Sequence, residues 1–179
     1  MPLYEIEHGL PLDQIQRDEL AQAITHTHSR KFATPSLFVN VKFTDTSNQH
    51  NYIAGKEAEF HLDQRKINRI TAYVRAGGTR TREDFDDLAL RISEAWNQTV
   101  NGNQKVTKER ELNRVFIMGA ITAGYENGFL LPRRLIEPDM TIQAGDDAKW
   151  LELNAPKFEE LARQGDQDFK EMVEEMRTR

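Results

Sequence analysis

Hydrophobic and polar residues alternate along three stretches of this chain, a pattern that is typical of β-strands with one buried face. These stretches lie at residues 2–8, about 37–43 and about 70–75. A fourth stretch, Val115-Phe116-Ile117-Met118, is apolar throughout and predicts a strand that is buried on both faces. We therefore expect a sheet built from these four strands.

Between the strands, apolar residues recur at the spacing of one helix face. The first helix is predicted over residues 12–29, with an apolar stripe that includes Ile15 and Ile24. Residues 44–66 are polar and predict a long loop, in which residues 52–55 favour a short hairpin.

A second helix is predicted after Thr81, because Thr81 and Asp84 have the spacing of a helix N-cap and its acidic partner. This helix is expected to end near residues 101–102. Two shorter helices follow in the C-terminal part. One covers residues 156–163 with a proline in its first turn, and the other starts at Asp166.

This order of elements predicts an α+β fold with two layers, in which both long helices cover one face of a four-stranded mixed sheet. Residues 2–132 are expected to form this domain. Residues 133–179 are expected to form a helical extension that packs on the core or on a neighbouring subunit. The other face of the sheet and an edge strand are left uncovered in a single chain, so we expect the protein to form oligomers.

The composition limits the possible functions. Among 179 residues the net charge is −5, and no basic stripe indicates a surface for nucleic acid or for an anionic membrane. Cysteine is absent, which excludes disulfides and thiolate chemistry. The first residues lack the apolar core of a signal peptide, and no apolar run has the length of a membrane span. These features favour a soluble, cytoplasmic protein.

Pro2 is the residue with the most unusual chemistry. If Met1 is removed, the Pro2 nitrogen becomes a free secondary amine, and an amino terminus has a pKa near ~8. An apolar site lined with cations lowers this pKa further, so that the amine exchanges protons as a general acid or base near neutral pH. Proline after the initiator methionine is, however, also common without any such role.

His28, Arg75, Arg80 and Glu126 are further candidates. His28 lies near the end of the first helix, where the helix dipole favours its protonated form; packing in the core is the alternative role. Arg75 and Arg80 flank Gly77-Gly78 and either hold a carboxylate through paired hydrogen bonds or belong to a solvated basic turn. Glu126 follows the last strand and is either a general base for water or an ordinary turn residue. No metal-ligand cluster or Ser/His/Asp triad stands out in the sequence.

Because of these residues in combination, the chain resembles the tautomerase superfamily, and within it the cis-3-chloroacrylic acid dehalogenase-like group. The resemblance covers about residues 2–132 and rests on the order and spacing of four segments. These are Met1-Pro2-Leu3-Tyr4, Ala23-Ile24-Thr25-His26-Thr27-His28, Thr79-Arg80-Thr81, and Glu126-Asn127-Gly128 shortly before Leu131-Pro132.

The resemblance implies a β-α-β-β-α-β unit that assembles as a homotrimer and acts on a small carboxylate without a cofactor or a metal. It implies that Pro2 is the catalytic acid or base and that Glu126 activates water. It also implies that His28 and Arg80, and with them Arg75, bind the substrate. The expected enzyme is an isomerase (a tautomerase) for a 2-oxo, enol or α,β-unsaturated carboxylic acid, or a dehalogenase-like hydratase or lyase.

Two features depart from the pattern of that family. Its arginines lie three residues apart, whereas here Gly77 lies three residues before Arg80, so Arg75 reaches the site only if the turn has a different length. The family also has a tyrosine on the strand before the glutamate, where this chain has Phe116-Ile117. A missing hydroxyl affects dehalogenation or hydration more than simple proton transfer.

Two other interpretations stay open at this point. The chain could be a non-catalytic oligomeric binding module that retains the tautomerase fold, with the acidic helical extension as its interaction surface. It could also be an unrelated ferredoxin-like ligand-binding domain, which shares the strand order but gives Pro2 no role.

Overall fold

The computed structural model describes residues 1–58, 66–77, 80–102, 104–131 and 147–178. Gly78 and Thr79 of the predicted arginine turn lie outside these ranges. So do Pro132 and the predicted extension up to residue 146.

The strands of the described residues are, in chain order, β1 (Leu3–His8), β2 (Asn40–Asp45), β3 (Tyr52–Ile53), β4 (Lys56–Glu57), β5 (Arg69–Tyr73), β6 (Arg114–Met118), β7 (Tyr125–Glu126) and β8 (Phe129–Leu130). The helices are α1 (Gln14–Phe32), α2 (Arg82–Trp96), α3 (Asp147–Arg163) and α4 (Gln167–Thr178). A 3-10 helix at Ser36–Phe38 precedes β2, and a π-helical turn at Asn97–Asn101 extends α2. None of the described helices combines the length and the apolar character that crossing a lipid bilayer requires.

Four of these strands form one mixed sheet in the order β2-β1-β5-β6. β1 runs parallel to β2 and antiparallel to β5, and β5 runs parallel to β6. The register pairs Leu3 with Asn40, so β1 and β2 begin side by side. The predicted α+β fold is therefore confirmed, and β3 and β4 form the predicted hairpin.

Both long helices begin at capping boxes. In each box the side chain of the N-cap residue accepts a hydrogen bond from the backbone amide three residues later, and the side chain of that later residue accepts one from the N-cap amide. Asp13 caps α1 together with Gln16, and Thr81 caps α2 together with Asp84. The Thr81 cap confirms the predicted start of α2. It also fixes the direction in which the chain enters this helix directly after Arg80.

The helices cover one face of the sheet, where alternate residues of β1 and β5 are fully buried. Tyr4 and Ile6 of β1 pack there with Leu20 and Ile24 of α1. The prediction is wrong for Ile15, which is 67% exposed. Ile15 lies in the first turn of α1, and the buried residues of this helix begin at Leu20.

The strand that was predicted to be buried on both faces, β6, is an edge strand of the sheet with one exposed face. Ile117 packs against the core, whereas Phe116 and Met118 are each 46% exposed. The prediction failed because an apolar run indicates two faces that suit burial but does not show what covers the second face.

A second hydrophobic cluster joins the C-terminal helices to the 3-10 helix before β2. Its buried members are Phe38, Phe129, Trp150, Phe158, Phe169 and Met172. Glu175 of α4 also accepts hydrogen bonds from the amide and the hydroxyl of Ser36. The described part of the predicted extension thus packs on the sheet domain of its own chain, while the boundary at residue 132 stays a prediction.

α3 begins at Asp147, well before the predicted start at residue 156, so Pro156 lies inside the helix. A proline inside a helix removes one backbone hydrogen bond. Trp150 and Phe158, on either side of it, are buried in the second cluster, and their packing offsets this loss.

Candidate active site

The amino end of the chain is buried where β1 and β2 begin. The Pro2 carbonyl accepts a hydrogen bond from the Asn40 amide, with an N···O distance of 3.1 Å. Met1 is partly buried against the second cluster. Because the hydrogen bond is made by Pro2 itself, the strand pairing holds Pro2 in place independently of Met1.

Two arginine side chains converge on one carboxylate beside this end. Arg75 Nη1 donates to Asp147 Oδ1 at 2.9 Å, and Arg80 Nη2 donates to Asp147 Oδ2. The side chains of Arg75, Arg80 and Asp147 are 3%, 7% and 13% exposed. Arg80 also donates through Nη1 to the Arg75 carbonyl, and its guanidinium lies 4.6 Å from the centre of the Phe32 ring. Arg75 therefore reaches the same point as Arg80, although the two arginines are five residues apart.

The surroundings of the amino end change its affinity for protons. The pKa of the Met1 amino group falls from 8.0 to about 6, chiefly because burial disfavours the ammonium form. The positive charges of Arg75 and Arg80 act in the same direction, and the carboxylates of Asp147 and Glu126 oppose it. The result is an amine that is mostly neutral at pH 7 and can accept a proton.

Glu126 lies in the small hairpin of β7 and β8, and Asn40 connects it to the amino end. The side-chain amide of Asn40 donates to Glu126 Oε1 at 2.6 Å, while its backbone amide binds Pro2. Burial raises the pKa of Glu126, against the opposing effects of the Asn40 hydrogen bond and of the positive amino terminus. A carboxylate with a raised pKa is a stronger base for water.

His28 is buried and neutral. Its Nδ1 lies 2.7 Å from the hydroxyl oxygen of Tyr4, and its ring packs on Phe32 with the ring centres 4.9 Å apart. Burial lowers the pKa of His28 from 6.5 to about 3, and the charges of the amino terminus and of Arg80 lower it as well. The prediction of a protonated histidine is therefore wrong, because the loss of hydration outweighs the helix dipole.

The five residues predicted for the site lie in one region of the fold. The amino end next to Pro2 lies within electrostatic range of Arg75, Arg80 and Glu126, and it acts in turn on His28. Their positions are thus compatible with a common site, whereas the role of each residue stays a prediction.

Sequence reasoning missed Asp147 and Asn40. The acidic pair at residues 146–147, before an apolar helix, is a signal for a helix start, but it does not indicate that the second acid binds two arginines. Asn40 is one polar residue of a predicted strand, and its place beside Pro2 follows from the parallel register of β1 and β2.

A small cavity lies beside the amino end. A cavity whose lining includes Met1, Phe38, Asp147 and Trp150 has a volume of about 10 Å³, which holds no more than one water molecule. A second, open cleft of about 470 Å³ has Arg80 among its lining residues.

Comparison with protein families gives one match that spans most of the chain. The Tautomerase_3 family, described as "Putative oxalocrotonate tautomerase enzyme", matches residues 1–154. The matched range contains the sheet domain, the start of α3 and every residue described at the amino end. A comparison with curated proteins found no match.

Several solved structures are similar to this chain. N1, a member of the cis-3-chloroacrylic acid dehalogenase family, has a TM-score of 0.62 and 21% identity, covering 94% of this chain and 99% of its own. A fused 4-OT solved as an asymmetric trimer has a TM-score of 0.51 and 20% identity, covering 72% and 94%. MIF2 of Leishmania major has a TM-score of 0.51 and 18% identity, covering 73% and 97%. At these identities the matches establish a shared fold.

His28 makes the stability of the folded chain sensitive to acid. Its pKa is about 3 in the fold against an ordinary 6.5, so the unfolded chain binds this proton more readily and stability falls as the pH drops through this window. Between pH 7 and pH 5 this single group should lower the free energy of unfolding by about 2 kcal/mol. His28→Asn should remove that part of the loss, as measured by urea unfolding at both pH values.

The matched control is His26→Asn, which removes an exposed histidine from the same helix. It should keep the pH dependence of the wild-type protein. If both variants lose the same stability between the two pH values, His28 takes up its proton within the fold, which would contradict a pKa that burial lowers.

Proposed function

This chain belongs to the Tautomerase_3 family, and we propose that it is an enzyme in which the Pro2 nitrogen, freed by removal of Met1, transfers protons. The proposed substrate is a small 2-oxo, enol or α,β-unsaturated carboxylic acid. The observation that supports this proposal most directly is the burial of the amino end beside Arg75 and Arg80.

Proton abstraction at pH 7 requires a neutral amine. The Met1 amino group has a pKa of about 6 in this environment, and Pro2 is the next residue in the same place. Because Asn40 binds the Pro2 carbonyl, the nitrogen that is freed by the removal of Met1 would stay near the arginines. A secondary amine in that position can take a proton from a substrate and return it.

Arg75 and Arg80 would bind the carboxylate of the substrate. Their guanidinium groups now bind the two oxygens of Asp147, a spacing that suits a substrate carboxylate equally well. Fixed positive charge in a site with little water also stabilises the negative charge that develops on an enolate.

In tautomerisation, neutral Pro2 would remove the proton from the enol oxygen of the substrate, which gives an enolate and a protonated amine. The electron pair of the enolate would then form a bond from its carbon to the same proton, which regenerates the neutral amine and releases the keto form. His28 is neutral and would assist through a hydrogen bond rather than through a positive charge.

Glu126 would support a second reaction at the same site. It would take a proton from water while the water oxygen attacks the β-carbon of an unsaturated acid. Pro2 would deliver a proton to the α-carbon in the smaller fraction of molecules in which its nitrogen is protonated. The hydrogen bond from Asn40 would hold Glu126 in the orientation for this step.

We propose a homotrimer as the working assembly. The fused 4-OT structure is a trimer, and the exposed Phe116 and Met118 of β6 are typical of a surface that a neighbouring subunit covers. Residues 2–132 would be the catalytic unit, with residues 133–179 as an extension that packs on it.

Substitution of Pro2 tests the proposed acid or base. Pro2→Ala should lower kcat for an enol such as phenylenolpyruvate by about 10²–10⁴-fold. The loss is smaller to the extent that the primary amine of alanine replaces the proline nitrogen as a base. Intact-mass measurement should show that Met1 is absent from the active protein, because an amide nitrogen cannot act as a base. An unchanged kcat in a folded variant, or activity in protein that retains Met1, would contradict the proposal.

Substitution of Glu126 separates the two reactions. Glu126→Gln keeps the shape of the side chain but cannot accept a proton from water, so hydration of an acid such as cis-3-chloroacrylate should fall about 10²–10⁴-fold. Tautomerisation of phenylenolpyruvate by the same preparation should change far less. Equal losses in both assays would argue against water activation by Glu126.

A further inference from the structure

The anion site formed by the two arginines is occupied by a carboxylate of the chain itself. Oδ1 of Asp147 accepts a hydrogen bond from Arg75 at 2.9 Å, and Oδ2 accepts one from Arg80. A substrate carboxylate bound by the same arginines would use the same donors. Asp147 and the substrate carboxylate therefore exclude each other.

The burial of this contact makes Asp147 a strong competitor. In a surface pair such as Lys42–Glu5, water competes for both charges and the pair contributes little. A buried guanidinium, by contrast, needs a partner, because its charge has lost its hydration. Asp147 is also the first residue of α3, where the helix dipole favours a negative charge.

The described cavity beside the amino end is too small for a second carboxylate. The cavity between Met1, Phe38, Asp147 and Trp150 measures about 10 Å³. Removal of Met1 opens room beside Phe38 and Trp150, but it leaves Asp147 on the guanidinium groups. The donors that Asp147 now occupies therefore become available to a substrate carboxylate when Asp147 releases them.

We propose that Asp147 is a specificity-determining residue that competes with the substrate carboxylate for Arg75 and Arg80. This inference rests on the proposed function, in that it takes the arginines as the anion site for the substrate. The arginines are then free for only a fraction of the time. The apparent affinity for a small monocarboxylic acid equals the affinity of the free arginines multiplied by that fraction. Asp147 thereby selects acids whose other groups add enough binding energy to displace it.

Isothermal titration calorimetry of Asp147→Asn provides the direct test. The ligand is butyrate, a saturated carboxylate that the proposed reactions cannot convert, and butyramide is its neutral counterpart. The variant should bind butyrate at least about 5-fold more tightly than the wild-type protein, with unchanged affinity for butyramide. Glu152→Gln removes the same charge from an exposed position of α3 and should bind both ligands like the wild-type protein.

Equal affinities of Asp147→Asn and the wild-type protein for butyrate would overturn the inference. Weaker binding by a variant that keeps the near-ultraviolet circular dichroism of its tryptophans would overturn it as well. A side chain with a merely structural role would leave the affinity unchanged or lower it, so tighter binding identifies a competitor.

A second measurement uses the wild-type protein and does not depend on a folded variant. Trp150 lies one turn after Asp147 on α3, whereas Trp96 is fully buried in the core around α2. With 5-fluorotryptophan at both positions, saturating butyrate should shift the fluorine resonance of Trp150 and leave that of Trp96 in place. Saturable binding without a shift of the Trp150 resonance would mean that Asp147 stays on the arginines, against the inference.

These results are distinguishable from a failure of the proposed function. Tighter butyrate binding by Asp147→Asn together with an unchanged rate in Pro2→Ala would support the competitor and reject the catalytic amine. An unchanged butyrate affinity in Asp147→Asn together with a lowered rate in Pro2→Ala would support the catalytic amine and reject the competitor.

Discussion

Two buried guanidinium groups determine how this site is arranged. Their charge has to be compensated, and Asp147 binds Arg75 with one oxygen and Arg80 with the other, which ties the first residue of α3 to the segment between β5 and α2. Helix α3, the sheet domain and the amino end therefore meet at one electrostatic contact. Burial beside these charges lowers the pKa of the amino group and of His28, and burial raises that of Glu126. Each of these three groups is thereby shifted toward its neutral form.

The fold could be predicted where residues that are close in sequence decide the structure. The alternation in β1 and the N-cap at Thr81 depend on neighbouring residues, and the structure confirms both. The exposed face of β6 at Phe116 could not be predicted, because the composition of a strand does not reveal what lies against it. Pro156 lies inside α3 because buried aromatic side chains on either side outweigh the preference of proline for a first turn.

The sequence indicated which residues come together at the amino end, but not their charges and contacts. A resemblance pointed to Arg80 and Glu126, and the long side chain of Arg75 tolerates a turn that departs from the family pattern. The neutral state of His28 was missed, since the sequence shows its place near a helix end but not the extent of its burial. Asp147 was missed because its contact with the arginines joins distant parts of the chain, which no local pattern encodes.

We expect that the amino end, once Met1 is removed, is a base of lowered pKa beside the arginines. Titration of the nitrogen resonance of the Pro2 amine by NMR, in protein labelled with ¹⁵N-proline, tests this claim most directly. We expect a midpoint below the ~8 of an unperturbed terminus, because burial and the two guanidinium groups disfavour the ammonium form at this place. A midpoint at the unperturbed value, or an amide resonance that shows Met1 still attached, would contradict the account.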